Sequence, residues 1–235
     1  MALQYPLSYL SLALSCGWLW WITSHTRWWW VGAISVWIGT SFALLALVYL
    51  ANSPAFLGKS HRGTRWFWGW IFFWPYFLMC ELSFLLARKS GQIALYAEIA
   101  PGVYLGRRLT ATEAEQTVRE LGIRGVVDLA AEYGEAPVFR ETEYLSLPVL
   151  DAMPPQVEQL KRGMAWIDRV RSNGPVYLHC ALGHGRAATT AAAYLVHSGL
   201  AKDAGQAIRA VRAARPGVKL NESQRQAIAA IRRPT

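Results

Sequence analysis

From Leu7 to Leu50 the chain carries a single full charge, Arg27. Residues 7–23 are 17 without a charge and residues 28–50 another 23, and only Ser24-His25-Thr26-Arg27 separates them. A hydrocarbon core about 30 Å thick takes about 20 apolar helical residues to cross, so the two runs are expected to form a tight membrane hairpin. A secretory signal peptide is the rival for the first run, but that run lacks a basic start and is followed at once by a second apolar segment. Residues 66–87 are a third expected span, with one proline, Pro75, and one acid, Glu81. A carboxylate at mid-bilayer costs about 2.5–3.5 kcal/mol on insertion scales, so spanning competes there with an interfacial placement. Trp28-Trp29-Trp30 and the group Trp66, Trp68, Trp70, Trp74 fit the headgroup belt.

Composition divides the chain at the same place. Of the 12 Trp, 11 precede residue 75, and residues 1–90 hold six Lys/Arg and one acid against 18 and 14 in residues 91–235. The expectation is an all-α transmembrane region over residues 1–90 and a soluble domain over residues 91–235, of a length that suits one core. The whole chain is 53% hydrophobic with three Cys, which excludes a disordered tail and a disulfide scaffold. A three-span arrangement leaves the flanking charges balanced, Lys59, Arg62 and Arg65 against Arg27, Arg88 and Lys89. Arg107 and Arg108 tip the balance toward a multi-pass protein with its second half in the cytoplasm.

In that second half, strands are expected at residues 103–105, 123–129, 144–147 and 176–179. Helices are expected from a Thr110/Glu113 capping box to residue 121, and at residues 155–171, 187–198, 203–214 and 221–232. The alternation implies an α/β fold, a central and mainly parallel sheet flanked by helices, with any site at the C-terminal strand ends.

Such a strand end is occupied by His179-Cys180-Ala181-Leu182-Gly183-His184-Gly185-Arg186, followed by a helix of small residues. A loop with two glycines feeding a helix N-terminus turns amide N–H groups toward one anion. A thiol placed there is drawn toward thiolate, from about 8.5 to roughly 3.5–7.5 in such settings. Arg186 can grip two phosphoryl oxygens with its planar fork.

The spacing His179-Cys180-x-x-Gly183-x-x-Arg186 resembles the signature loop of cysteine-dependent protein tyrosine phosphatases, in the dual-specificity branch. Residues 99–106 and 121–129 resemble the opening strand and the next helix-to-strand passage of that branch, and residues 131–135 and 208–217 are similar to the subgroup typified by the mitochondrial phosphatidylglycerophosphate phosphatase. The resemblance covers about residues 95–230 and implies a phosphomonoester hydrolase that works through a cysteinyl-phosphate and requires no metal or cofactor. It makes Cys180 the nucleophile, Arg186 the phosphate clamp, and Asp151, which also follows the expected strand at 144–147, the general acid. His179 would orient the loop that continues through Ala181, Leu182, Gly183, His184 and Gly185.

Two positions depart from the pattern. Ala187 stands where the family has Ser or Thr, so the second step is expected to be slow unless Thr189 or Thr190 substitutes. Ala181 stands where lipid-directed relatives often carry Lys, and His184 is the residue that could restore charge.

Two substrates are expected, a phospholipid head-group phosphate of phosphatidylglycerophosphate type or a phosphoprotein (Tyr/Ser/Thr). The anchor raises the effective concentration of a lipid head group and would serve a membrane phosphoprotein equally, and the subgroup resemblance narrowly favours the lipid. Glu132 and Glu135 are expected as pocket or salt-bridge residues. The rival class is a catalytically weak or dead phosphate-binding module that recruits partners to the membrane; a sulfurtransferase-like loop would not call for Asp151 or Arg186. Cys16 and Cys80 are expected as inert packing residues. Arg209, Arg212, Arg215, Arg232 and Arg233 are expected to form a basic face that is solvated or attracted to anionic lipid. No motif points to nucleic acid, and no pattern specifies an oligomeric state.

Overall fold

The computed structural model describes residues 4–89, 91 and 93–231. The two N-terminal runs are helices α1 (Gln4–Thr23) and α2 (Trp29–Leu50), packed along their lengths as a hairpin. Small residues permit the close approach: a Cβ on Gly39 would stand 2.8 Å from Cys16 Cβ, and one on Gly32 would stand 2.3 Å from Thr23 Oγ1. Ser8, Ser15 and Thr40 donate their hydroxyls to carbonyls of their own helices, which removes their demand for water. After a short 3-10 turn (Pro54–Leu57) comes α3 (Phe67–Lys89). Among the described residues, α2 and α3 are long and apolar enough to cross a membrane. The first expected span is a helix but not one of these two, because Tyr5, Ser8, Tyr9 and Ser11 dilute its apolar character.

Helix α3 bends at Phe73 (φ −124°, ψ 15°), ahead of Pro75. Proline has no N–H to give the carbonyl four residues back and crowds it. That carbonyl, on Ile71, instead accepts from Trp37 Nε1 at 3.3 Å. The first part of α3 lies on α2, with the Trp37 and Trp74 rings 5.9 Å apart.

The second part runs onto the C-terminal half of the chain. Tyr133 Oη donates to Cys80 O at 2.8 Å, Arg108 Nη1 meets both Glu81 oxygens at 2.8 Å, and Arg88 Nη2 meets Glu113 at 2.9 Å. The segment preceding α3 rests on the same half: Lys59 pairs with Asp128, Arg65 donates to Glu132 O, and Glu135 N donates to Gly63 O at 2.9 Å. Both ends of α3 therefore contact one unit, and a single apolar core runs from Phe42, Tyr49 and Tyr76 into Val127 and Tyr194. The compositional break near residue 90 is not a break in packing.

That unit holds a five-stranded sheet in the order β1-β2-β5-β3-β4, with β1 (Tyr96–Ala100), β2 (Val103–Gly106), β3 (Gly125–Ala130), β4 (Glu143–Val149) and β5 (Val176–His179). All neighbours are parallel except the β1–β2 hairpin. Helices α4 (Ala111–Leu121), α5 (Pro137–Glu141), α6 (Val157–Arg171), α7 (Arg186–His197), α8 (Ala204–Ala214) and α9 (Glu222–Ala229) surround it. The expected strands and helices are present within a few residues. Strand β1 and α5 carry no periodic signal of their own, and of the last expected helix, Arg232 lies outside the described residues. Every residue of β3 is buried, as a strand covered on both faces requires. In α7 the first 11 residues are buried, and its alanines let sheet, α6, α8 and α9 close around the backbone.

Glu113 joins these parts. It closes the capping box of α4 with Thr110 and pairs with Arg107 and Arg88. Burial pushes its carboxyl up, but the Arg107 and Thr110 hydrogen bonds and both arginines outweigh that and hold it at about 2. Its contribution to stability is thus complete above the ordinary carboxylate range and is lost as the pH falls through about 2. The Tm difference between wild type and Glu113→Gln, measured by calorimetry in detergent, should be largest above pH 5 and shrink steadily toward pH 2.

Candidate active site

Strand β5 delivers Cys180 to the C-terminal edge of the sheet and α7 begins at Arg186, so residues 180–186 form a tight turn between them. Gly183 has φ +73°, and a Cβ there would stand 2.3 Å from Gly106 O; only glycine fits both the conformation and the space. The loop's carbonyls are held from outside. Cys180 O meets His179 Nδ1 at 3.2 Å, Ala181 O accepts from Arg108 N at 2.9 Å, and Leu182 O accepts from Arg215 Nη2 at 2.9 Å. His184 O accepts from Lys219 N at 3.1 Å, and Gly185 O from Thr189 N at 2.8 Å. Because each peptide is planar, carbonyls drawn outward leave amide N–H groups facing the hollow of the turn, an anion cradle at a helix N-terminus.

Arg186 is 1% exposed. Its two Nη atoms meet the two carboxylate oxygens of Glu132 at 2.6 Å each, and Nη1 also donates to Val149 O at 2.9 Å. Nη2 lies 3.1 Å from Asp151 Oδ1. Burial alone would lower the guanidinium's pKa, but Glu132 and then Asp151 more than offset it, so Arg186 stays charged. Its Nε finds no acceptor among the described residues and is a donor free to serve a bound oxyanion.

Asp151 opens on the same edge, just after β4. The turn behind it is held by Ala152 at φ +59°, a left-handed conformation that costs about 1 kcal/mol or more outside glycine. Asn221, the N-cap of α9, donates to Ala152 O at 2.7 Å and stabilises that turn. The three residues expected to carry the chemistry are thus brought together, with the Asp151 side chain exposed and Cys180 on the floor.

Other expected residues are placed differently. Glu132 clamps Arg186, and Glu135 lies 2.7 Å from His179 Nε2. Burial would lower the His179 pKa, but Glu135 and Asp128 outweigh it and raise it above its ordinary value, which favours the imidazolium. His184 is shifted the other way, by burial first and then by Arg215 and Lys219, which favours the neutral ring; it does not restore the charge missing at Ala181. Thr189 and Thr190 donate their hydroxyls to Gly185 O and Arg186 O within the helix, so neither is turned to replace the hydroxyl absent at Ala187. Arg215 is buried beneath the loop rather than on a solvated face, Arg209 and Arg212 are exposed as expected, and Arg232 and Arg233 lie outside the described residues.

The wall of the site was not foreseen. A cleft of about 260 Å³ over Cys180 and Arg186 is bordered by Tyr9 of α1 and by Tyr76, Met79, Cys80, Ser83 and Phe84 of α3. The signal available in the sequence was Glu81, an acid in an apolar run that requires a partner off the lipid. The Arg186–Glu132 pair is the constraint most open to test. Glu132→Gln leaves a buried guanidinium without its counter-charge, and breaking such a pair costs about 3–5 kcal/mol. The variant should lose at least tenfold in kcat/KM toward an aryl phosphate and melt several degrees lower by calorimetry.

Comparison with known proteins agrees with this geometry. A family model described as "PTP-SAK: Swiss Army Knife protein, DSP-PTPase phosphatase domain" matches residues 98–233. The Homo sapiens protein phosphatidylglycerophosphatase and protein-tyrosine phosphatase 1 is 31% identical over 137 residues, 52% of this chain and 68% of its own. The crystal structure of PTPMT1 in complex with PI(5)P superposes with a TM-score of 0.55 at 23% identity, covering 59% of this chain and 94% of that one. Tk-PTP in its active form gives 0.52 at 29% identity, with 57% and 93% covered. The sheet order, the loop from His179 to Arg186 and the match over residues 98–233 together make this chain a member of the DSP-PTPase phosphatase family, a phosphoric monoester hydrolase.

Proposed function

We propose that the protein is a membrane-held phosphatase that removes the phosphate of a phospholipid head group through a cysteinyl-phosphate. Cys180 thiolate attacks phosphorus in the cradle as the P–O ester bond breaks and Asp151 protonates the departing alkoxide. Water then attacks the cysteinyl-phosphate as Asp151 takes its proton, the P–S bond breaks, and inorganic phosphate leaves with Cys180 again a thiolate. A positioned acid of this kind contributes about 10²–10⁴ in rate. Arg186, its two Nη atoms fixed by Glu132, offers its Nε–H to the phosphoryl oxygens throughout.

The observation that carries the lipid reading is the cleft: its floor is Cys180, Asp151 and Arg186, and its wall is Tyr9, Tyr76, Met79 and Phe84 from helices of the apolar half. A phosphate attached to an amphiphile suits both surfaces at once, whereas an extended phosphopeptide would meet the helix. The human relative's name covers a phosphatidylglycerophosphate and a phosphotyrosine activity, so both classes belong in the test.

In the membrane arrangement we favour, the α1–α2 hairpin enters the bilayer with Trp28-Trp29-Trp30 at its far tip. Helices of 20 and 22 residues measure about 30 Å, the thickness required, and α1, the less apolar of the two, enters by its packing along α2. Helix α3 then lies along the membrane surface rather than across it, its exposed Leu78, Leu82, Leu85 and Leu86 toward lipid and Glu81 toward Arg108. Both loops that contact the catalytic unit are on one side, so Lys59, Arg62, Arg65, Arg88, Lys89, Arg107 and Arg108 oppose Arg27 alone. That imbalance supports a cytoplasmic catalytic unit.

Reconstituted full-length protein should release phosphate from phosphatidylglycerophosphate in vesicles at least tenfold faster, by kcat/KM, than from phosphotyrosyl or phosphoseryl peptides, with Cys180→Ser inactive on all three. Faster peptide turnover would reverse the substrate assignment. Phosphate-analogue binding without turnover would favour the recruitment module, a reading that Ala187 and the committed hydroxyls of Thr189 and Thr190 support.

A further inference from the structure

Behind the cradle lies a second cluster of charge that the reaction above does not use. Asp128 of β3 and His179 of β5 are Cα partners in adjacent parallel strands. Asp128, Glu135 and His179 are all buried, with donor atoms within 4.8 Å of one another. His179 bridges this cluster to the site, with Nε2 2.7 Å from Glu135 and Nδ1 3.2 Å from Cys180 O. Two carboxylates against one imidazole leave an excess of buried negative charge one residue from the nucleophile.

The fourth member comes from the other half of the chain. Lys59, in the loop between α2 and α3, is 8% exposed; its ammonium donates to Asp128 Oδ2 and, at 2.6 Å, to Ala130 O. Tyr144 Oη donates to the same Asp128 oxygen at 2.7 Å, and Ala130 N donates to Oδ1 at 2.9 Å. The loop is fastened alongside by Arg65 on Glu132 O and by Gly63 O accepting from Glu135 N.

We propose that Lys59 is a positioning residue for Cys180: by setting one positive charge against Asp128 in the buried cluster of Asp128, Glu135 and His179, it weakens the negative field at the back of the phosphate-binding loop. The catalytic unit is then electrostatically complete only when the loop of the apolar half is docked on it. A buried charge acts over about 10 Å with little screening, and an added negative charge behind the loop opposes both a thiolate and a phosphate dianion.

The shifts of the cluster agree in direction. Burial would raise the Asp128 carboxyl, but Lys59 and then His179 hold it well below the carboxylate range. His179 is raised by Glu135 and Asp128 against its burial, with Lys59 acting to lower it. The His179 ring also packs against the rings of Phe139 and Tyr177, which carry no charge. On the cradle side Cys180 faces Arg186, Arg215, Asp151, Glu132 and the neutral His184, and none of these changes in the variants below.

The inference rests on Cys180 being the nucleophile and is independent of whether the substrate is lipid or protein. The test uses the full chain in detergent micelles. Mass spectrometry follows iodoacetamide alkylation of the Cys180 peptide against pH, and an aryl phosphate gives the pH profile of kcat/KM. Lys59→Met makes the cluster one charge more negative than wild type, Asp128→Asn one charge more positive, and the double variant restores the wild-type charge. The half-reaction pH and the acid limb of kcat/KM should both rise by about one unit in Lys59→Met, a tenfold slower alkylation at fixed lower pH. Both should fall in Asp128→Asn, and return to within about 0.3 unit of wild type in the double variant and in Lys59→Arg. An unchanged midpoint in Lys59→Met, or a double variant that keeps the Lys59→Met shift, would overturn the proposal in favour of simple docking. Should Lys59→Met fail to fold, the order of wild type, Asp128→Asn and the double variant still decides. Cys180→Ser that remains active would instead overturn the nucleophile assignment and leave the charge cluster out of the matter.

Discussion

A guanidinium buried as deeply as Arg186 is tolerated only with a matched anion and filled hydrogen bonds, because desolvating an unpaired charge costs several kcal/mol. Glu132 supplies the match on both Nη atoms and Val149 O adds a third contact. That single pair ties the start of α7 to the loop after β3 and the end of β4, and so sets Arg186, Asp151 and the floor of the cradle in one frame. It also extends outward, since Arg65 donates to the carbonyl of the same Glu132 and stacks on the Phe77 ring 3.5 Å away. The apolar half is connected to the clamp by the backbone of one glutamate.

The same principle accounts for the way the two halves meet. Three acids near the junction are each paired with a cation across it: Glu81 with Arg108, Glu113 with Arg88, and Asp128 with Lys59. The partly exposed pairs contribute little to stability, about 0–1 kcal/mol each, but they orient α3. With Glu81 directed to Arg108, the helix turns Tyr76, Cys80 and Phe84 to the catalytic unit and its leucines outward. Hydropathy averages over the circumference of a helix and registers a span, whereas the orientation of one carboxylate makes α3 a wall of the cleft.

Much of the catalytic unit was legible in the sequence because its signals are local. The Thr110/Glu113 box marks a helix start by chemistry that acts within one turn, and the loop from His179 to Arg186 has a spacing that suits an anion cradle. Strand β1 was not legible, because Tyr96–Ala100 is half exposed and is ordered chiefly by pairing with β2. Arg215 resembled a solvated helix residue, since its periodicity matches Arg212 and Arg209. Its burial follows from Ala94 O and Leu182 O, 121 and 33 residues away in sequence, and no local pattern encodes such partners.

The sequence by itself determined that the chain has an apolar helical half and an α/β half, and that a cysteine and an arginine share one turn at a strand end, because periodicity and short spacings are properties of neighbouring residues. The tertiary structure alone decided that these halves are one packed body, that α3 borders the active site, and that Lys59 reaches Asp128 across 69 positions of chain. Hydrophobic burial brings remote segments together without direction, and which charges then meet depends on the final packing rather than on any local signal.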